Sequence, residues 1–178
     1  MRKFNAILTA LILVLFILHA VFGSLQMLGI GSTALKTLAW VNVGLIVLHV
    51  LIGIKFTFDT LSAQRKTGVS YFKENRLFWA RRISGFAIMI LLFFHLTAFG
   101  QTVDGVERLQ WFDTAKLVTN ILLVLSIALH VITNAKPMLI SFGIKSLKKY
   151  AGDILFVLAI LMVFIAAAFI VYYIRWNS

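Results

Sequence analysis

The chain has 178 residues, of which 61% are hydrophobic and only 13% charged, against the about 25% charged residues of soluble domains. So few charges cannot solvate the surface of a globular enzyme, and so high an apolar content excludes a disordered chain. Lys and Arg number 17 against 6 Asp and Glu, a formal +11; flanking positive charge in a membrane protein accounts for this excess without nucleic acid as a partner.

Five runs reach the about 20 apolar residues that a membrane-crossing helix needs. They cover residues 4–28, 35–58, 78–100, 112–135 and 154–174, the fourth ending at Lys136-Pro137. The start, Met1-Arg2-Lys3 and then a long apolar stretch, has the look of a signal peptide. The stretch is longer than a secretory h-region and no small-x-small cleavage site follows, so a retained first span is expected. Short linkers make sequential helices antiparallel. The expected architecture is an all-α integral membrane protein, one transmembrane domain over residues 1–178. Its first four helices form an antiparallel bundle and the fifth packs alongside.

The positive residues fix an expected orientation. Arg2, Lys3, Lys55, Arg65, Lys66, Lys73, Arg76, Arg81, Arg82, Lys136, Lys145, Lys148 and Lys149 fall on the N-terminal side, and only Lys36, Arg108, Lys116 and Arg175 on the other. The N-terminus is therefore expected in the cytoplasm and the C-terminus outside, across a prokaryotic cytoplasmic membrane. The inside loops around 59–77 and 136–153 form a basic surface on which a cytoplasmic partner could dock.

Each of the first four spans carries one histidine: His19, His49, His95 and His130. An ionisable side chain at membrane depth is costly without a partner, which marks such residues as functional. At a rise of about 1.5 Å per residue, His19 and His95 lie about 20–22 Å above the inner ends of their helices, and His49 and His130 about 8–14 Å. They form two pairs by depth, an outer one of His19 with His95 and an inner one of His49 with His130. Zinc or copper would need further ligands, and there is no Cys and no nearby carboxylate to supply them. Haem iron needs only two axial ligands, so two haems b held by bis-histidine ligation are expected. The depths put them about 10 Å apart along the membrane normal. Attachment is non-covalent, since there is no Cys-x-x-Cys-His.

Several neighbours suit a flat cofactor. Gly23, Gly53 and Gly100 follow histidines by about one turn and leave room for a macrocycle. Ser126, one turn before His130, is a candidate to orient that imidazole. Lys55, Arg81, Arg82 and Lys136, at the inner end, are candidates to neutralise haem propionates, although snorkelling to the interface explains such residues equally well. Gln26, Asn42 and Asn120 lie in the outer halves of their helices on or near the histidine faces. They are candidates for a quinone site, with helix–helix hydrogen bonding as the alternative. Gly29-Ile30-Gly31-Ser32-Thr33-Ala34 matches a loose dinucleotide fingerprint, but it follows a membrane helix and has no βαβ unit around it.

Five spans with one histidine on each of the first four, together with the segment Phe78-Trp79-Ala80-Arg81-Arg82-Ile83-Ser84-Gly85 leading to His95, resemble the dihaem cytochrome b membrane subunit of the succinate dehydrogenase and fumarate reductase family. The resemblance covers essentially the whole chain and rests on architecture more than on a long motif. It implies a cytoplasmic flavoprotein and an iron–sulfur subunit as partners, anchored here. Electrons would be exchanged with menaquinone in the membrane through an outer haem on His19 and His95 and an inner haem on His49 and His130. It leaves open whether the complex dimerises. Some members carry a glutamate two residues before the fourth-helix histidine, where this chain has Ala128, and another near the outer end of helix two, where residues 29–36 contain no acid. The outside carboxylates are Asp104, Glu107 and Asp113. A cytochrome b subunit of a formate dehydrogenase, hydrogenase or metal reductase is the alternative, and a transporter using histidine proton relays a third reading. This chain carries no substrate-oxidising site of its own in any of the cytochrome readings.

Overall fold

A computed structural model describes residues 2–30, 36–68, 76–98, 101–103, 106–108, 111–143 and 151–177. Residues 31–35 and Lys73, Gly100, Asp104, Lys145, Lys148 and Lys149 lie outside the described residues, as do the side chains of Arg2, Lys36, Glu107 and Arg108. Five helices are long and apolar enough to cross a membrane: α1 (Arg2–Met27), α2 (Lys36–Thr67), α3 (Arg76–Ala98), α4 (Thr114–Ser141) and α5 (Ala151–Asn177). Between α3 and α4, strands β1 (Gln101–Val103) and β2 (Val106–Arg108) pair antiparallel, with Gln101 opposite Arg108. That short ribbon is the one departure from an all-helical chain among the described residues.

Two helices outrun their apolar stretches. At about 1.5 Å per residue, the 32 residues of α2 span about 48 Å, well beyond the about 30 Å hydrocarbon core. The residues after Phe58 are mostly polar but include the good helix formers Leu61, Ala63, Gln64, Arg65 and Lys66, and the last two, in the last turn, complement the negative end of the helix dipole. The inside loop expected from residue 59 is therefore helical as far as Thr67. Likewise α4 does not stop at Lys136-Pro137 but carries Pro137 inside it. Proline has no N–H to donate to the carbonyl four residues back, here that of Thr133. Arg81 Nε on α3 donates to that oxygen at 2.9 Å instead, so this half-buried carbonyl keeps a partner.

Helix ends follow their sequence. Asp113 caps α4, its carboxylate accepting from the Lys116 backbone N–H at 2.8 Å. After α1, the Ile30 N–H donates to Leu25 O at 2.8 Å and the Gly29 N–H to Gln26 O at 3.0 Å. Gly29 takes φ +81°, which closes a Schellman turn. The remaining Leu28 carbonyl accepts from Arg175 Nη1 at the end of α5, at 2.7 Å.

The packed core lies between α1, α4 and α5. Ala20 and Met27, Phe112 and Val124, and Met162, Ile165, Ala168, Phe169 and Tyr172 form one cluster. Phe112 stacks on Phe169 at 6.0 Å and meets Tyr172 edge-on at 5.3 Å, arrangements that suit the aromatic quadrupole. Outside this core α2 packs on α1 and α3 on α4. Much of the remaining surface is apolar, Val163 and Phe93 for example being 69% and 64% exposed, as lipid contact allows and water does not.

Candidate haem-ligand site

His19 on α1 and His95 on α3 face one another with ring centroids 6.0 Å apart and planes at 87°. His49 on α2 and His130 on α4 do the same at 6.4 Å and 90°. In both cases the imidazoles reach between helices that share little or no packing. The chain therefore brings its four histidines together two by two, in the combinations that helix rise gives.

Three of the rings are oriented by a neighbouring helix. Asn120 Oδ1 accepts from His95 Nδ1 at 2.7 Å, while its own Nδ2 donates to Lys116 O at 2.8 Å. Ser84 Oγ donates to Arg81 O at 3.2 Å, which leaves its lone pairs to accept from His130 Nδ1 at 3.1 Å. Asn5 Oδ1 lies 3.1 Å from His49 Nδ1; Thr9 Oγ1 is farther, at 3.4 Å, and spends its own proton on Asn5 O. The side-chain N–H and O–H groups of Asn120, Ser84 and Thr9 are thus taken by helix carbonyls, and only acceptors face the rings. The tautomer that fits these acceptors carries its proton on Nδ1 and leaves Nε2 unprotonated, the state a metal ligand requires.

This geometry suits one group between each pair. Two imidazoles sharing a metal, with bonds of about 2 Å and about 1.1 Å more from each nitrogen to its ring centre, have centroids about 6 Å apart. Among the described residues no third His, Cys, Asp or Glu joins either pair to complete a bare-metal shell. A macrocycle that brings its own four nitrogens needs no third residue. Beside the inner pair, Asn5, Thr9, His49, His130 and Asn134 help to line a cavity of about 160 Å³. Gly23, one turn past His19, has open space where a Cβ would point.

The cationic candidates separate. Arg82 lies over the Phe78 ring at 5.0 Å; its Nε is buried with no hydrogen-bond partner, and its Nη1 is 3.8 Å from where a Gly53 Cβ would stand. A buried guanidinium N–H without an acceptor is a place for an anionic group. Arg81 has its Nε on Thr133 O, while Lys55 and Lys136 are exposed. Of the polar quinone candidates, Asn120 has both ends of its amide engaged. Asn42 is 6% exposed with Oδ1 unpaired, and Gln26 is half-buried. Ser126 stands half-buried on α4, and it is Ser84 from α3 that bonds His130. Ala128 packs against the α1–α4–α5 core, and Asp113 is engaged as a helix cap.

Sequence reasoning missed Asn5, Thr9, Ser84 and Gly85. A Cβ on Gly85 would stand 3.3 Å from His130 Cε1 and 3.5 Å from its Nδ1, so this glycine makes room for the ring. A signal was present: Ser84 precedes His95 by three helical turns and Asn5 precedes His19 by four, so each shares a face with the histidine of its own helix. No family model, curated protein or solved structure matches the chain.

Proposed function

We propose that the chain is a dihaem cytochrome b membrane subunit, carrying electrons between a membrane quinone, in the resemblance menaquinone, and a cytoplasmic flavoprotein and iron–sulfur succinate dehydrogenase or fumarate reductase that it anchors. The observation that carries this reading is the pairing of four histidines at 6.0 and 6.4 Å, with Nδ1 of His49, His95 and His130 on neutral acceptors. His19 and His95 would hold the outer haem and His49 and His130 the inner one, within an antiparallel bundle of the first four helices. Bound there, each haem would supply reversible one-electron exchange. The chain's own residues orient the imidazoles and offer the Arg82 guanidinium to propionates of the inner group. Ser24 Oγ and Asn42 Oδ1 are buried and unpaired in the outer half, and polar groups in an apolar slot suit a quinone ring.

The test is substitution by pairs. His19→Ala and His95→Ala should each remove the same haem, and His49→Ala and His130→Ala the other, read as separable bands in reduced-minus-oxidised spectra. Losses that group His19 with His49 would defeat the assignment. Co-purification of a flavoprotein with an iron–sulfur protein supports the proposed partners; capture of a formate dehydrogenase or hydrogenase subunit would replace them.

A further inference from the structure

The fifth helix carries no histidine, yet it reaches the inner pair. Its buried face is one row at helical spacing: Leu155, Leu158, Met162, Ile165, Phe169 and Tyr172. From Met162 onward the row packs into the cluster shared with α1 and α4. Leu155 and Leu158 continue it inward but face open space instead. They are one wall of the cavity of about 160 Å³ whose other walls include Thr9 and Leu13 on α1, Asn134 and Met138 on α4, and the His49 and His130 rings. Among the described residues α3 contributes nothing to that lining, and neither does any Lys, Arg, Asp or Glu.

The other flank of the same pair is built differently. Since α1 and α3 face one another through His19 and His95, the α1–α5 side and the α3 side of the inner pair are opposite ones. On the α3 side Gly85 stands against His130. One turn inward of Gly85 is Arg82, and one turn inward of His49 is Gly53; the Arg82 Nη1 lies 3.8 Å from where a Gly53 Cβ would stand. The Arg82 Nε is buried without a hydrogen-bond partner. The inner pair thus has an uncharged, mostly apolar hollow on one side and an unsatisfied cation on the other.

A haem has the same asymmetry at its rim, with methyl and vinyl groups along one edge and two carboxylates along the other. We infer that α5 is part of the inner haem site: Leu155 and Leu158 seat the hydrocarbon edge of that haem in the cavity, and its propionates point the opposite way, to Arg82. This rests on the two-haem reading and extends it, giving the inner haem a single orientation and the histidine-free helix a cofactor-binding role. The reverse seating would bury two carboxylates in a hollow with no cation, a heavy desolvation cost, and leave the Arg82 charge unanswered. The inferred seating buries hydrocarbon against leucine and supplies the buried guanidinium with an acceptor.

The experiment compares haem per protein, reduced-minus-oxidised bands and midpoint potentials of the full chain purified from haem-replete cells. Leu158→Trp fills the cavity and should take the ratio from two haems to one, the lost band being the one lost in His49→Ala; the outer haem that remains shows the chain is folded. If Leu158→Trp does not accumulate, Leu155→Phe intrudes less and should shift the inner midpoint potential alone. Arg82→Leu should deplete the same haem and Arg82→Lys should keep more of it. Moving the cation across the site, in Arg82→Leu with Leu155→Lys, should leave that haem depleted. Two haems in Leu158→Trp with the inner potential unmoved, or an unmoved inner potential in Leu155→Phe, would overturn the role of α5. An unchanged inner haem in Arg82→Leu, or its recovery in the double variant, would overturn the orientation. All of these leave the dihaem reading intact, whereas absence of haem from the wild-type protein would overturn the reading itself.

Discussion

His130 shows how closely the histidines are fitted. Its ring lies against the backbone of Gly85 on α3, where an added methyl would sit 3.3 Å from Cε1, tighter than ordinary carbon contact. A branched side chain there cannot be absorbed by a ring already hydrogen-bonded to Ser84. Gly85→Val should therefore remove the inner haem and spare the outer, halving haem per protein in a pyridine haemochrome assay; an unchanged ratio would show that the ring has freedom not evident in its contacts. The histidine pairs were legible in the sequence because depth follows from helix rise alone. Their hydrogen-bond partners were not. Ser126 and Ser84 are equally plausible neighbours of His130 until it is known that α3 packs on α4, and only that packing makes Ser84 the residue in reach.

At the scale of the element, the apolar runs located all five helices but misjudged two ends, since lack of charge measures membrane depth and helicity does not stop at the interface. Pro137 is the instructive case. As a breaker it argued for an end, and the helix continues because Arg81 from another helix pairs with the carbonyl it orphans. Arg81→Leu should cost about 1–3 kcal/mol, the penalty of one unsatisfied buried acceptor. Pro137→Ala, which restores an intrahelical donor to Thr133 O, should recover much of the loss in the double variant. A double-mutant cycle on unfolding in detergent reads the coupling directly, and additive effects would argue against it. At the other end of the same helix, Asp113→Ala removes a cap bond of 2.8 Å and should lower stability by about 1 kcal/mol in the same assay.

For the whole molecule, the buried apolar cluster lies between α1, α4 and α5, with α2 packed on α1 and α3 packed closely along α4, and α2 and α3 carry half the histidines. The fifth helix, without a histidine, is thus a central packing element rather than an accessory. Its role was hidden from sequence because an all-round apolar helix does not announce which face it buries. The orientation read from the positive charges is tested by labelling, made simple by the absence of Cys. Ile30→Cys, at the exposed end of α1, should react with an impermeant maleimide added outside intact cells. Ser62→Cys, on the exposed extension of α2, should react only after permeabilisation, and the reverse pattern would invert the topology.

The central claim is that the two histidine pairs are haem sites. The measurement that tests it most directly is the haem-to-protein ratio of the chain purified from haem-replete cells, with its reduced-minus-oxidised spectrum. The account predicts two haems b per chain and the spectrum of six-coordinate bis-histidine iron. A folded, colourless protein would contradict it.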